Sequence, residues 1–113
     1  MEQQTKMFTN RMHQAILTRN TGLMEDILRR YQGDIDGVHD EDGNSLLIMA
    51  AMNGDFKMCE ILLSRGVDVN AQNHIGNTAL HYAIMKKFNK TIDTLISYDV
   101  NENVENYRGI LPW

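Results

Sequence analysis

Hydrophobic residues in this chain recur at helical spacing within short segments, and turns rich in glycine, asparagine and aspartate separate these segments. Ser45 and Thr78 each stand directly before such a segment, where a hydroxyl oxygen can accept a free N–H of the first helical turn. Each unit is therefore predicted to consist of a helix, a turn, a second helix and an extended turn. The predicted helices cover 46–53, 56–64, 79–86 and 89–97.

The helix pairs are copies of one another at a period of 33 residues. The segment GNSLLIMA at 43–50 matches GNTALHYA at 76–83 in its glycine, asparagine, hydroxyl residue, leucine and alanine. A further period places Pro112 at the first position of a next helix, where its missing N–H costs nothing. We therefore expect a repeat at 43–75, a repeat at 76–108 and the start of a truncated repeat at 109–113.

The segment before residue 43 follows the same plan less regularly. Helices are predicted at 12–17 and 22–31, but the spacing drifts from 33 to 35 residues, which requires an insertion. The terminal unit of a stack needs a polar outer face for solubility. We therefore expect 10–42 to be a degenerate capping repeat and 1–9 to be a tail.

These motifs resemble the ankyrin repeat, whose pattern is Gly-x-Thr-Pro-Leu-His-x-Ala-Ala-x-x-Gly, then a Leu-Leu helix, then Gly-Ala-Asp-Val-Asn-Ala. The chain shows GNSLLIMAAMNG…EILLSRGVDVNAQN and GNTALHYAIMKK…TLISYDVNENVEN. Leu46 and Ala79 replace the proline, Ile48 replaces the histidine, and Lys87 replaces the glycine between helices. The resemblance implies an all-α solenoid of stacked antiparallel helix pairs with projecting hairpin-like loops. The motif is carried by Gly43, Ser45, Leu47, Ala50, Gly54, Gly66, Gly76, Thr78, Leu80, His81 and Ala83.

Composition narrows the functional class. The 113 residues suit one domain, and 11 Lys+Arg against 15 Asp+Glu give a net charge of −4, so nucleic acid is an unsuitable main partner. The longest apolar run falls well short of the ~18 residues of a membrane span, and the N-terminus has no signal-peptide core. The single cysteine excludes an internal disulfide and suits a reducing compartment, so we expect an intracellular protein, cytoplasmic or nuclear.

The chain shows no pattern that predicts catalysis, a metal or a cofactor. No two of its four histidines stand at i, i+3 or i, i+4, and Cys59 has no CxxC partner, so a zinc site is poorly supported. The acidic stretch 34–42 fails as a calcium loop because its ligand positions are not filled. Cys59 is interpreted as a buried, inert thiol. Catalytic signatures such as GxSxG and HExxH are missing from the sequence.

The resemblance implies contacts with a partner protein through hairpin tips and exposed positions of the first helices. Met52 and Met85 occupy equivalent positions that face the concave groove in the ankyrin pattern, where flexible thioethers make an adaptable strip. Ile75 and Tyr107 are suitable anchors. For each candidate, the alternative to a binding role is that it occupies a loop position where substitutions are tolerated. The candidates are Glu41, Asp42, Asn44, Met52, Asn53, His74, Ile75, Asn77, Met85, Lys86, Tyr107 and Arg108.

Four further hypotheses stay open. The chain is alternatively the N-terminal capping or architectural segment of a longer array or multidomain protein, such as an enzyme or channel, with no binding activity of its own. The truncated unit at 109–113 would expose the last helix pair and promote self-association. Asn70 lies in a sequence context that resembles the hydroxylated hairpins of ankyrin repeats. The alternative is that its side chain forms a hydrogen bond within its own turn. For His81, the resemblance implies hydrogen bonds between adjacent repeats.

Overall fold

The fold is seen in a computed structural model, which describes the backbone of residues 2–113 and the side chains of residues 6–113. Over these residues there are six α-helices, one short 3₁₀ helix (Ile35–Gly37) and no strand. In this part of the chain, no helix combines the length and the apolar character needed to cross a membrane. The helices are α1 (Glu2–Leu17), α2 (Thr21–Arg30), α3 (Leu46–Met52), α4 (Phe56–Ser64), α5 (Ala79–Met85) and α6 (Asn89–Ser97).

Side-chain caps fix where the central helices begin. The Ser45 hydroxyl accepts the N–H of Ile48 at 3.1 Å, and the Asp55 carboxylate accepts that of Met58 at 3.1 Å. Thr78 caps α5 and forms a capping box with His81, whose Nδ1 accepts the Thr78 N–H at 3.1 Å. These caps satisfy N–H groups that have no partner within the helix. The predicted bounds of α3 to α6 agree with the structure to within one residue, although α6, which begins after Phe88, has no side-chain cap.

Helix α1 begins at Glu2 and not at Met12, so residues 2–9 are helical where a tail was expected. Residue 1 lies outside the described residues. The segment from Glu2 to Leu17 contains neither proline nor glycine, and the helix propagates from a turn that Met12 and Ile16 bury against the stack. Phe8 adds to this anchoring, because its ring lies edge-on to Tyr31 with centroids 5.8 Å apart.

The helices stack in two rows around one continuous core. Helices α1, α3 and α5 form the inner row, and α2, α4 and α6 form the outer row. Met24 and Met58 are fully buried, whereas Met49 is only partly buried against the core. The largest fully buried side chains come from all three helix pairs and include Met12, Ile16, Met24, Ile27, Leu47, Met58, Leu62, Leu80 and Leu95.

Three hairpin turns, at 40–44, 73–77 and 106–110, project from the inner row and are built alike. A side-chain oxygen of Asp40, Asn73 or Asn106 accepts the N–H groups two and four residues further on. Backbone bonds then tie neighbouring turns together, from His74 N to Asp42 O at 3.0 Å and from Tyr107 N to Ile75 O at 3.1 Å. The turns therefore form one row along the stack.

The C-terminal residues depart from the prediction. Pro112 is buried, as Leu46 and Ala79 are, but no helix begins at it in the described structure. Trp113 is 65% exposed and donates from Nε1 to Glu102 at 2.9 Å, whereas its counterparts Leu47 and Leu80 are buried.

Candidate functional site

The candidate site is a groove between the row of hairpin turns and the C-terminal ends of the inner helices. It contains two adjoining pockets, which share Ile75 as a common wall. The first has a volume of ≈ 230 Å³ and is lined by Asp42, Asn44, Met52, Asn73, His74, Ile75 and Tyr82. The second has a volume of ≈ 340 Å³ and is lined by Ile75, Asn77, Met85, Asn106, Arg108 and Ile110. The repeat thus produces two related pockets with different linings.

The floor of the groove is formed by the last residues of α3 and α5. Met52 ends α3 and is partly buried, whereas Met85 ends α5 and is 64% exposed. Leu17 ends α1 in the equivalent position and is 78% exposed. Sequence reasoning missed Leu17 because the first repeat is offset by 35 residues and not 33. Aligning Leu17 with Met52 at that offset would have found it.

Two predicted contact residues, Asn44 and Asn77, are buried, each with only 5% exposure. The Asn44 amide donates to Asp40 Oδ2 at 3.0 Å and accepts from Asn73 Nδ2 at 2.8 Å. Asn77 likewise accepts from Asn106 Nδ2 at 3.0 Å. Both side chains connect neighbouring turns and are not exposed as expected, although each also lines one of the two pockets, so their contact with a partner stays a prediction. Spacing alone places them at the tips but does not give the side-chain direction.

His74 and Tyr107 are exposed, but each also packs on a glycine of the preceding turn. Gly43 and Gly76 have φ of 76° and 83°, in the left-handed region that favours glycine. A Cβ on Gly43 would collide with the His74 ring, and one on Gly76 would lie 2.6 Å from Tyr107 N. One face of the Tyr107 ring is therefore used in the fold, although 70% of the residue stays accessible to a partner.

Basic side chains lie at the C-terminal end of α3. The Lys86 ammonium donates to the Met52 carbonyl at 3.1 Å, and the Arg19 guanidinium donates to the Asn53 carbonyl. The Asn53 amide donates to Ile16 O at 3.4 Å. Cations are stabilised at helix C-termini by the helix dipole. Lys86 and Asn53 therefore already make contacts between repeats, and Arg19, which was not among the predicted contact residues, joins them.

One end of the groove is acidic. Burial raises the pKa of the Asp40 carboxyl, but hydrogen bonds from the Asn44 side chain and from the N–H groups of Asn44 and Asp42 outweigh it and lower the pKa below its usual value. Glu41 and Asp42 are exposed beside it. The first turn therefore presents negative charge to solvent, whereas the third turn presents Arg108.

Two motif residues connect repeats through side-chain hydrogen bonds. Because Thr78 N–H donates to Nδ1 of His81, the ring proton resides on Nε2, which donates to Ile110 O at 2.9 Å. The Asn70 side chain accepts from Asn101 N at 2.8 Å, in the next extended turn and not in its own. Its hydroxylation stays a prediction.

Cys59 has no access to substrate or solvent. It is fully buried in α4, and burial together with the nearby Asp55 charge raises the pKa of its thiol to about 12. A thiol in this state is not an activated nucleophile. Within the described part of the chain, no three His, Cys, Asp or Glu side chains gather as metal ligands.

Comparison with known proteins identifies the family. The ankyrin-repeat family model matches residues 12–106 with three copies. The B-cell lymphoma 3 protein homolog of Mus musculus is 33% identical over 103 residues, covering 89% of this chain and 22% of that protein. The tyrosine-protein kinase Shark of Drosophila melanogaster is 31% identical over 107 residues, covering 92% and 11% respectively. Human neurogenic locus notch homolog protein 1 is 29% identical over 110 residues, covering 96% and 4%. The chain spans less than a quarter of each relative, and it belongs to the ankyrin-repeat family.

Proposed function

We propose that this chain is a non-catalytic module that holds a partner protein in the groove between its hairpin turns and inner helices. Ankyrin repeats are protein–protein interaction modules. The observation that carries the assignment to this face is the pair of adjoining pockets, whose shared wall Ile75 is 59% exposed and whose floor residue Met85 is 64% exposed. Exposed apolar side chains set in pockets with polar rims are typical of interaction sites.

The energetic expectation follows from burial. Covering a side chain such as Ile75 or Met85 fully contributes roughly 1.5–3 kcal/mol relative to its exposed state. The turns that present these side chains are tied to one another by hydrogen bonds between Asn73 and Asn44 and between Asn106 and Asn77. Little conformational entropy therefore needs to be lost on binding, which favours affinity. The buried thiol and the reducing compartment that a lone cysteine suits make an intracellular location part of this proposal.

A capture experiment tests the assignment. The wild-type chain, the Ile75→Asp/Met85→Glu variant and a Met7→Glu control would be immobilised, and bound proteins quantified by mass spectrometry. Met7 is also an exposed apolar residue, at 54%, but it lies ten residues before the end of α1 and away from the groove. We expect the groove variant to lose a set of proteins that the wild type and the control retain. Equal recovery by all three, with circular dichroism showing intact folds, would contradict the proposal.

A second candidate role is architectural, and the outer face of the third repeat favours it. Ile84, Ile92 and Ile96 occupy the positions of Ala51, Cys59 and Leu63 in the repeat before. The first set is partly or well exposed, with Ile96 at 42%, whereas Ala51 and Cys59 are at 0% and Leu63 at 7% because α5 and α6 cover them. We propose that another folded surface, a following repeat or a second copy of the chain, stacks on this face.

A further inference from the structure

We infer that the groove selects a peptide segment of its partner that is basic at one end, apolar in the middle and acidic at the other end. This inference rests on the proposed function of the groove and adds the chemistry of the occupant. It starts from one position of the hairpin turns, which recurs at a period of 33 residues as Asp42, Ile75 and Arg108. The same place in three successive turns thus carries a negative, an apolar and a positive side chain.

The three side chains lie in sequence along the groove. Asp42 and Ile75 line the first pocket, and Ile75 and Arg108 line the second. The backbone bonds from His74 N to Asp42 O and from Tyr107 N to Ile75 O hold the three turns in this order. In the described residues the ion pairs are those of Asp26 with Arg29 and Arg30, so the charges of Asp42 and Arg108 remain available to a ligand.

Neighbouring charges make the acidic end the stronger one. Asp40, whose pKa is lowered, and the exposed Glu41 flank Asp42 in the same turn. At the other end Glu105 precedes the third turn and partly offsets Arg108. We therefore expect the basic end of the ligand to contribute more than its acidic end. Complementary charges of this kind set orientation and specificity more than total affinity.

The length of the segment follows from the stacking distance. Packed helices lie about 8–10 Å apart, so Asp42 and Arg108, two repeats apart, are separated by roughly 20 Å. An extended chain advances about 3.3 Å per residue, so roughly six residues separate the two charges of the ligand. Its central apolar side chain then meets Ile75 and Met85.

Selection from a display library of random 12-residue peptides tests this pattern. The targets are the wild-type chain, Asp42→Arg, Arg108→Asp and the double reversal, with Glu60→Arg and Lys57→Glu on α4 as matched charge controls. We expect the wild type and both controls to select peptides with one basic and one acidic residue about six positions apart. Because Asp40 and Glu41 remain, Asp42→Arg should lose the preference for a basic residue at the first turn, Arg108→Asp should select two basic residues, and the double reversal should select a basic residue at the third turn only.

Affinity of a selected peptide gives the quantitative readout. We expect Asp42→Arg to weaken the binding of a wild-type-selected peptide by roughly fivefold or more, and Arg108→Asp by a smaller factor. Peptides that need Ile75 and Met85 but show no charge pattern would overturn this inference alone. Selected peptides that still bind Ile75→Asp/Met85→Glu, or no selected peptides at all, would overturn the proposed groove and this inference with it.

Discussion

Thr91 and Asp55 each bury a side-chain oxygen that has no hydrogen-bond partner among the described residues. Asp55 is compensated, because its other carboxylate oxygen caps α4. Thr91 has no such compensation: it is 1% exposed and occupies the position that Met58 fills in the preceding repeat. A buried hydroxyl without a partner loses its hydration and gains nothing in exchange.

We therefore expect Thr91→Val to stabilise the chain by about 1 kcal/mol, because valine keeps the shape and removes the polar atom. Urea unfolding monitored by circular dichroism would measure the change. Thr94→Val is the matched control, since the Thr94 hydroxyl donates to Lys90 O at 2.9 Å and is partly exposed. A destabilised Thr91→Val protein would show that the hydroxyl has a partner in solution.

Asp40 gives a prediction for pH. Because its pKa in the folded state is lowered from the ordinary value of 3.8, its ionised form stabilises the fold above that value. This contribution is lost as the pH falls through the lowered pKa. Asn73 and Asn106 hold the same position in the other turns, so Asp40→Asn is a compatible change. We expect this variant to lose less stability than the wild type between pH 5 and pH 2, measured by urea unfolding at each pH. If the free energy of unfolding of Asp40→Asn falls as steeply between pH 5 and pH 2 as that of the wild type, the acid sensitivity comes from other groups.

At the residue scale, the sequence predicted the side chains that act locally. The Ser45 and Thr78 caps and the buried Cys59 follow from neighbours within one helical turn, and the structure confirms them. Asn44 was mistaken for a surface group, because its amide is satisfied by a turn 29 residues further along the chain. A partner at that distance leaves no local signal.

At the scale of elements, some turns require glycine only because of their backbone conformation, whereas others require it also because a neighbouring turn packs against it. Gly66 and Gly76 have φ of 84° and 83°. A Cβ on Gly66 would meet open space, whereas one on Gly76 would lie 2.6 Å from the backbone N of Tyr107. The two positions therefore separate the strain of a left-handed backbone from the collision between neighbouring turns.

We expect Gly66→Ala to cost about 1 kcal/mol from backbone strain alone. Gly76→Ala should cost clearly more, because the second and third turns must also move apart. Unfolding free energies of both variants, measured against the wild type, would check the order. Equal costs would show that the contact between the turns contributes nothing to stability.

Lys87 and Asp99 occupy the positions of Gly54 and Gly66 in the repeat before, and they adopt φ of 60° and 59°. Aspartate tolerates this conformation better than lysine does. We expect Lys87→Gly to stabilise the chain by up to about 1 kcal/mol, less the entropy that glycine adds to the unfolded state. Thermal unfolding of Lys87→Gly beside Asp99→Gly would test this, and a lower melting temperature for Lys87→Gly than for the wild type would contradict it.

Helix bounds were predictable wherever caps and glycines mark them. The start of α1 was not, since no proline or glycine marks a boundary in the residues before Met12. There the burial of Met12 and Ile16 stabilises the helix, and this burial depends on α2 and α3, which pack on α1. The relation among Leu17, Met52 and Met85 was hidden by the offset of the first repeat, which is 35 residues and not 33.

At the scale of the whole molecule, the two ends of the stack differ. The outer surface of α2 carries Glu25, Arg29 and Arg30, whereas the outer surface of α6 carries the exposed Ile96. A stack with one apolar end closes into a pair and does not extend into a fibre. We expect the chain to self-associate weakly at high concentration and Ile96→Lys to remain monomeric, as measured by sedimentation velocity. A wild-type monomer at high concentration would remove this face as a site of self-association.

The central claim is that the partner lies in the groove between the turns and the inner helices. Amide chemical-shift changes on titrating the ¹⁵N-labelled chain with a library-selected peptide would test it most directly. We predict that the perturbed amides cluster in the turns at 40–44, 73–77 and 106–110 and at the C-terminal ends of α3 and α5. Perturbations concentrated on the outer helices α2, α4 and α6, with the turns unchanged, would contradict the account.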